Sequence, residues 1–335
     1  MSRILIIGGT GNIGSGITRL LLEKGGHEII HVNRGLRPEI AEGVKTLRAD
    51  RTDFQAFKKT VESEGNFDCV IDMICDQPEQ ASQAVELFKG RTGQYIFCST
   101  VDVYDRRNLT YPIHEDQPVG WINPRFESAL KKAVCEEAFN TANDDDFHVS
   151  ILRPAMTYGE GMGLIHLFGW DTYFIDRIRR GKPIILHGDG TSIWVLAHRD
   201  DVAAAFVNAV GNPAAYGKKY NVTGQEMLTW TQYYSYLAWS NGYQEPEFVY
   251  IPTANLLKME PEKSFRLSVT YAHNQIYDNS AAIRDLGYEY TVDWLEGAAR
   301  VIAWLEENKK IEACENFPFY DSIIDRWGKI SDIGL

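Results

Sequence analysis

Three glycines near the amino terminus, Gly8, Gly11 and Gly14, stand three residues apart in the stretch IIGGTGNIG. Glycine at the first position permits a tight turn. At the second it lets the backbone approach a phosphate, and at the third it lets a helix pack closely on a strand. The loop follows an apolar run over residues 3–7 and opens a helical pattern over residues 12–24, so Thr10, Asn12 and Ile13 belong to the same cradle. Free amides and the positive dipole end of that helix suit a pyrophosphate. The chemistry implied is dinucleotide binding.

A second set of residues would meet the adenosine end of such a ligand. The next apolar run, residues 28–32, ends in Asn33 and Arg34. An acid at the first of these would hold the ribose hydroxyls, whereas the neutral amide followed by a guanidinium leans toward a 2′-phosphate and so toward NADP over NAD. Arg34 lying across the adenine face, or in water, is the alternative. Asp50, with Arg51 beside it, closes a third run over residues 44–49 and is placed either to meet the adenine amino group or to cap a helix.

The elements that must position these residues alternate strand with helix. The helix after the third strand has Thr52 or Asp53 as its cap. Strand patterns follow at 68–73, 94–98 and 148–152, and helical patterns at 78–88 and 125–141. The fold class is α/β, a doubly wound parallel sheet with helices on both faces. After Arg153 and Pro154 the pattern becomes irregular and aromatic. Residues 1–155, with 195–222 returning to them, are expected to form the dinucleotide-binding domain, and 156–194 with 223–335 a smaller C-terminal substrate lobe.

Bulk properties narrow the function. The 335 residues are 44% hydrophobic and 24% charged, ordinary for a globular chain. A net charge of −12 opposes a nucleic-acid partner. The five cysteines have irregular spacing, which favours a reducing, cytoplasmic setting over a disulfide framework. The eight histidines show no metal-ligand spacing, so no metal is expected. No apolar run reaches membrane-spanning length, and the first residues lack the pattern of a leader.

Taken together these features resemble the extended short-chain dehydrogenase/reductase family of epimerases and dehydratases, from the glycine loop to about residue 295. The resemblance rests on IIGGTGNIG, CSTVDVY (98–104), ILRPAMTYGEG (151–161), HGDGTSIWVLAHRDDVAAAF (187–206), YNVTG, and DLGYEYTVDWLEGAARVIAW (285–304). It implies a Rossmann sheet and NAD or NADP. It places Met73, Ile74, Cys98, Pro154 and Met156 along the cofactor, and Thr100, Tyr104, Trp194 and His198 toward a substrate. Family helices after strand five carry a tyrosine four residues before a lysine. KAVCE (132–136) fits the family's K-x-x-C-E, which makes Lys132 the ribose anchor and Ser128 the occupant of the tyrosine position. The neighbouring spacing would pair Lys131 with Glu127. Neither supplies a phenol.

Other departures are Val101–Asp102 in place of an Asp-Glu pair, and Trp194 in place of a diphosphate-gripping arginine. Asp102, Tyr104, His114, Tyr158, His166 and Tyr173 are candidates to replace the missing acid/base. The activity implied is NAD(P)-dependent oxidation, reduction or epimerisation of a sugar, polyol or sugar derivative. The alternative is a binding or regulatory protein that holds a dinucleotide without hydride transfer. YNVTGQEMLTW and GYQEPEFVYIP also resemble an atypical chloroplast group associated with RNA binding. A homodimer through the helix bearing Ala133, Val134 and Phe139 is permitted.

Overall fold

The computed structural model describes residues 2–36, 42–120 and 125–331. In chain order the elements begin with β1 (Ser2–Ile7), α1 (Asn12–Lys24), β2 (His27–Asn33), β3 (Lys45–Arg48), α2 (Phe54–Glu62) and β4 (Phe67–Asp72). They continue with α3 (Pro78–Phe88), β5 (Thr92–Cys98), α4 (Glu127–Ala142), β6 (His148–Pro154) and β7 (Met156–Tyr158). Then come α5 (Tyr173–Arg179), β8 (Ile184–His187), β9 (Ile193–Trp194), β10 (Leu196–His198), α6 (Arg199–Ala209) and β11 (Lys219–Val222). The last are β12 (Leu228–Thr229), α7 (Trp230–Ser240), β13 (Phe248–Ile251), α8 (Thr253–Met259), α9 (Ser280–Leu286), α10 (Trp294–Glu307) and α11 (Pro318–Ser331).

The chain divides into two units. The first holds residues 1–157, 197–224 and 277–291. Its seven-stranded sheet runs β11-β6-β5-β4-β1-β2-β3, with every pair parallel. The strand order reverses at β1, and the crevice beyond the carboxyl ends of β1 and β4 is where such sheets take ligands. Alternate residues of β1 enter different cores. Ile4 and Ile6 pack with Ile17, Val202 and Phe206 on one face, while Leu5 and Ile7 pack with Phe57, Leu87 and Phe139 on the other. Burial on both faces is why the strands read as continuous apolar runs rather than alternating ones. Asp53 caps α2, its carboxylate accepting the Ala56 amide at 3.1 Å.

Residues 277–291, expected in the smaller lobe, join the sheet unit instead. The reason is burial: Ala282, Leu286 and Tyr288 sit in the same core as α1 and α6.

The second unit holds residues 158–196, 225–276 and 292–335. Two short ladders, β8 parallel with β13 and β9 antiparallel with β12, brace its helices. Its interior is aromatic. Trp230, Tyr233, Tyr234 and Trp294 are at most 1% exposed, and Tyr233 stacks on Trp294 with ring centroids 4.6 Å apart.

Candidate functional site

The glycine loop is shaped by contacts that leave no room for a side chain. Gly8 has φ +88, and a Cβ there would lie 2.6 Å from the Ile74 side chain. A Cβ on Gly14 would lie 2.5 Å from the Gly8 carbonyl oxygen. The first helical bond of α1 runs from the Ser15 amide to the Gly11 carbonyl at 2.9 Å, so the amides of Asn12, Ile13 and Gly14 lie ahead of the ladder. No acid occupies that first turn. The turn is therefore electropositive and open to an anion. Asn12 braces it by donating its side-chain amide to the Thr157 carbonyl at 3.1 Å.

Gly9 escaped the sequence reading. A Cβ there would meet the His31 ring at 2.4 Å. His31 is buried behind the loop, its Nε2 2.8 Å from the Thr18 hydroxyl, and burial pushes it down to about 4, so the ring is neutral near pH 7. Thr18 in turn donates to the Gly14 carbonyl at 2.8 Å. The only signal in the sequence was the doubled glycine itself.

Beside the loop opens a cleft of about 400 Å³. Gly8, Thr10, Gly11, Asn33, Arg34, Asp50, Arg51 and Ile74, all expected near a dinucleotide, line it. Asn33 is committed locally, its side-chain oxygen Oδ1 accepting the Gly35 amide at 2.7 Å. Asp50 accepts the Thr52 amide at 2.9 Å and the Thr52 hydroxyl at 2.7 Å, and these bonds hold its carboxyl below the usual range. Asp50 thus organises a turn and does not cap α2. The Arg34 side chain is exposed at the rim.

Arg51 lines the cleft, but its guanidinium is engaged within the protein. It is 7% exposed, and its guanidinium pairs with Asp72 and donates to the Gln80 carbonyl at 3.1 Å. Asp72, which the sequence did not single out, is fully buried. It also receives the Tyr95 hydroxyl and the amides of Ile74 and Cys75, at 3.1 and 3.0 Å. Burial would raise this carboxyl, but the Arg51 charge and these donors outweigh it and hold it below its ordinary value. The group fixes the loop carrying Met73 and Ile74, and the Met73 amide binds the Ile7 carbonyl at 3.0 Å.

The carboxyl end of β5 carries the remaining candidates. Lys132 donates to the Cys98 carbonyl at 2.6 Å, and its Nζ lies 4.7 Å from the centre of the Phe97 ring. Lys131 instead pairs with Glu127 at 2.8 Å on the outer face of α4. The two lysines therefore have different jobs, and only Lys132 addresses the sheet. Ser128, one turn earlier on α4, is exposed. Thr100 accepts the Asp102 amide at 3.2 Å, which leaves its hydroxyl hydrogen to donate elsewhere. Asp102 pairs with Arg106 at 3.2 Å. Burial pushes the Cys98 thiol up to about 11.

Four substrate or acid/base candidates prove structural. Tyr104 is 1% exposed. It donates to Asn221 at 2.7 Å, accepts from Arg153 at 2.9 Å, and is pushed up to about 12 by burial. Arg153 in turn holds Glu136 through two bonds of 2.9 and 2.6 Å, and Ser99 donates to Glu136 at 2.5 Å. Tyr104 is therefore part of a buried polar chain under the sheet edge. His198 is fully buried and caps α6 by accepting the Asp200 amide at 3.3 Å. Trp194 is 4% exposed because it stacks on Trp230, so its face is taken. His166 is buried, and burial pushes it down to about 3.

The other positions are quickly placed. Tyr158 and Tyr173 are at most 2% exposed. His114 is a half-exposed ring 3.6 Å from Asp278. Pro154 is buried and Met156 half-buried at the end of β6 and the start of β7. Of the expected dimer positions on α4, Ala133 and Phe139 point into the core, while Val134 and its neighbour Leu130 are exposed.

Among the described residues, Asp176, Cys314 and Glu315 are near enough to suggest a metal. Arg179 and Arg180 already pair with Asp176, and Arg180 also pairs with Glu315. No helix among the described residues is long and apolar enough to cross a membrane. All five cysteines are buried free thiols.

Comparisons with known proteins agree with this geometry. The chain is 27% identical over 262 residues to the chloroplast stem-loop binding protein of 41 kDa b of Arabidopsis thaliana, covering 74% of this chain and 65% of that one. It is 28% identical over 234 residues to 2′-dehydrokanamycin reductase of Streptomyces kanamyceticus, covering 69% and 64%. The match thus spans just under two thirds of each of these relatives. Among solved structures, UDP-glucuronic acid 4-epimerase from Bacillus cereus in complex with NAD shares the fold. The TM-score is 0.71 at 18% identity, over 93% of this chain and 99% of that one. The model of the NAD dependent epimerase/dehydratase family matches residues 4–223, from inside β1 to just past β11, and the chain belongs to that family.

Proposed function

We propose that this chain is an NAD(P)-dependent oxidoreductase or epimerase that acts on a sugar, a polyol or a sugar derivative, with a non-standard acid/base in place of the family tyrosine. The carrying observation is the cleft beside the glycine loop, lined by Gly8, Thr10 and Gly11 and by Asn33 and Arg34, with no carboxylate at position 33. These residues fit a dinucleotide: the loop backbone would hold the pyrophosphate and Asp50 or Arg34 the adenosine end. Arg34 beside a neutral Asn33 favours NADP. The nicotinamide, when bound, supplies hydride transfer. Lys132 would hold the ribose next to the nicotinamide, and Thr100 would donate its hydroxyl hydrogen to a substrate oxygen. The names of the Streptomyces reductase and of the Bacillus epimerase with NAD support this reading.

The test is a fluorescence titration with NADPH and NADH, followed by a screen of sugars and polyols for cofactor turnover. NADPH should bind about tenfold or more tightly than NADH, as one charge-assisted contact contributes. Failure of both to bind ends the reading.

A second reading has its own observation. Ser128 is exposed, and Tyr104, Tyr158, Tyr173 and His166 are all buried, so neither a phenol nor an imidazole among them can serve. On this reading the protein binds the dinucleotide as a regulatory or binding module. Tight NADPH binding with no turnover on any sugar would favour it. A homodimer through Leu130 and Val134 is compatible with either reading.

A further inference from the structure

Two of the five cysteines touch. Cys75 lies in the loop between β4 and α3, and Cys135 lies on α4. Their thiols are hydrogen-bonded to each other. Both side chains enter the core cluster that also holds Ala81, Phe97 and Phe139. Asp72 accepts the Cys75 amide at 3.0 Å, which fixes the backbone that carries this sulfur toward α4. Neither thiol has a part in the chemistry proposed above.

Their surroundings make the two thiols unlike. Cys135 stands three residues after Lys132 on α4, so the two share a helix face. The hydrogen bond from Cys75, and then the Lys132 and Arg51 charges, hold the Cys135 thiol below its ordinary value. Cys75 is pushed up as the donor in that bond, and further by burial and by the Asp72 carboxylate. Burial pushes Cys69, Cys98 and Cys314 up as well. Cys135 is therefore the readiest nucleophile of the five, and a second thiol already meets it. The cover over the pair is thin. Cys75 is buried, but its neighbours Ile74 and Asp76 are exposed. Opening this short loop, without unfolding the sheet, would admit a small oxidant.

We propose that Cys75 and Cys135 form a reversible redox modification site, a dithiol that hydrogen peroxide closes to a disulfide. The Cys135 thiolate attacks one peroxide oxygen, the O–O bond breaks, and hydroxide leaves, so that Cys135 becomes a sulfenic acid. The Cys75 sulfur then attacks the Cys135 sulfur and expels the second oxygen as hydroxide. The two thiol protons complete two waters. The sulfurs together lose two electrons and the peroxide gains them. The new bond holds the sulfurs about 2 Å apart, nearer than a hydrogen bond between thiols allows. It therefore draws the loop carrying Ile74 and the helix carrying Lys132 toward each other. Ile74 lines the cleft, so oxidation alters a wall of that cleft. The effect on a ligand rests on the dinucleotide reading, whereas the disulfide does not.

The test uses the full chain, treated with hydrogen peroxide, unfolded, alkylated and mapped by peptide mass spectrometry. The count of free thiols should fall from five by two, with the Cys75 peptide joined to the Cys135 peptide, and dithiothreitol should restore both. Cys75→Ser removes the second thiol and should leave Cys135 as a sulfenic acid that dimedone traps. Cys135→Ser should slow thiol loss about tenfold or more, the effect of one pKa unit in thiolate population. The wild-type map needs no variant to fold. The proposal is overturned if all five thiols survive, if the bridge joins other cysteines, or if Cys135→Ser loses thiols at the wild-type rate. NADPH titrated before and after oxidation reads the cleft, and affinity should fall about tenfold. Equal affinities would overturn the link to the cleft. No NADPH binding by the reduced chain would end the dinucleotide reading and leave the mapped disulfide standing.

Discussion

The Arg51 guanidinium and the Asp72 carboxylate form a buried ion pair beneath the candidate nucleotide cleft, and the same carboxylate accepts the Ile74 and Cys75 amides. The pair therefore shapes the loop carrying Met73 and Ile74, with Arg51 also lining the cleft. Asp72→Ala strands a buried guanidinium and should destabilise the protein by about 3–5 kcal/mol in urea unfolding. The Asp72 pKa is depressed in the folded state. Its stabilisation is thus fully present above the ordinary carboxylate range and is lost as pH falls below that range. The acid limb of a stability–pH curve should flatten in the variant.

Gly9→Ala should destabilise by about 1–3 kcal/mol, since the new methyl meets a His31 ring that Thr18 holds in place. Gly93→Ala is the control. Its Cβ would meet nothing nearer than 3.7 Å, so its effect should stay within about 0.5 kcal/mol. Thermal melts of the two variants decide. Equal shifts would mean that the His31 contact is not restrictive.

Lys132 and Lys131 should separate cleanly. Lys132→Met removes the cation at the end of β5 and should weaken NADPH binding about tenfold or more. Lys131→Met removes a surface pair with Glu127 and should leave affinity unchanged and stability within about 0.5 kcal/mol. Matching affinities for the two variants would refute the anchoring role of Lys132.

Ser128→Tyr places a phenol four residues before Lys132, on the same face of α4. If the natural acid/base lies elsewhere, kcat should fall or stay level with sugars that the wild type turns over. If hydride transfer appears only in the variant, the native chain binds without catalysing. A steady-state assay with NADP reads both.

Three of the four buried histidines should shape the stability at mildly acidic pH. His31, His166 and His187 are pushed down to about 4, 3 and 4 by burial. Between those values and about pH 6.5 the unfolded chain binds more protons than the folded one, so stability falls as pH drops through that window. Each should remove roughly 1.4 kcal/mol per pH unit once well below pH 6.5. A His31→Gln variant should show a shallower slope in urea unfolding between pH 6 and pH 5 (roughly one pH unit).

Local order carried much of the reading. Apolar runs bounded by turns mark β1, β2, β4 and β5 because strands buried on both faces need apolar residues at every position. The spacing of Gly8, Gly11 and Gly14 marks the loop because each glycine answers a local steric demand. Membership in the epimerase/dehydratase family is legible for the same reason, since its motifs are short and contiguous.

Direction and partnership were decided only in three dimensions. Residue type says that Tyr104, His198 and Trp194 could do chemistry, but not which way each points, and all three point inward. Arg51 meets Asp72 across 21 positions of chain, and Arg153 meets Glu136 across 17. Such pairs form where a parallel sheet brings distant segments together, and periodicity along the chain holds no record of that meeting. The amino-acid order thus determined the sheet and its glycine loop, while packing determined which polar groups line the cleft and which are engaged with one another.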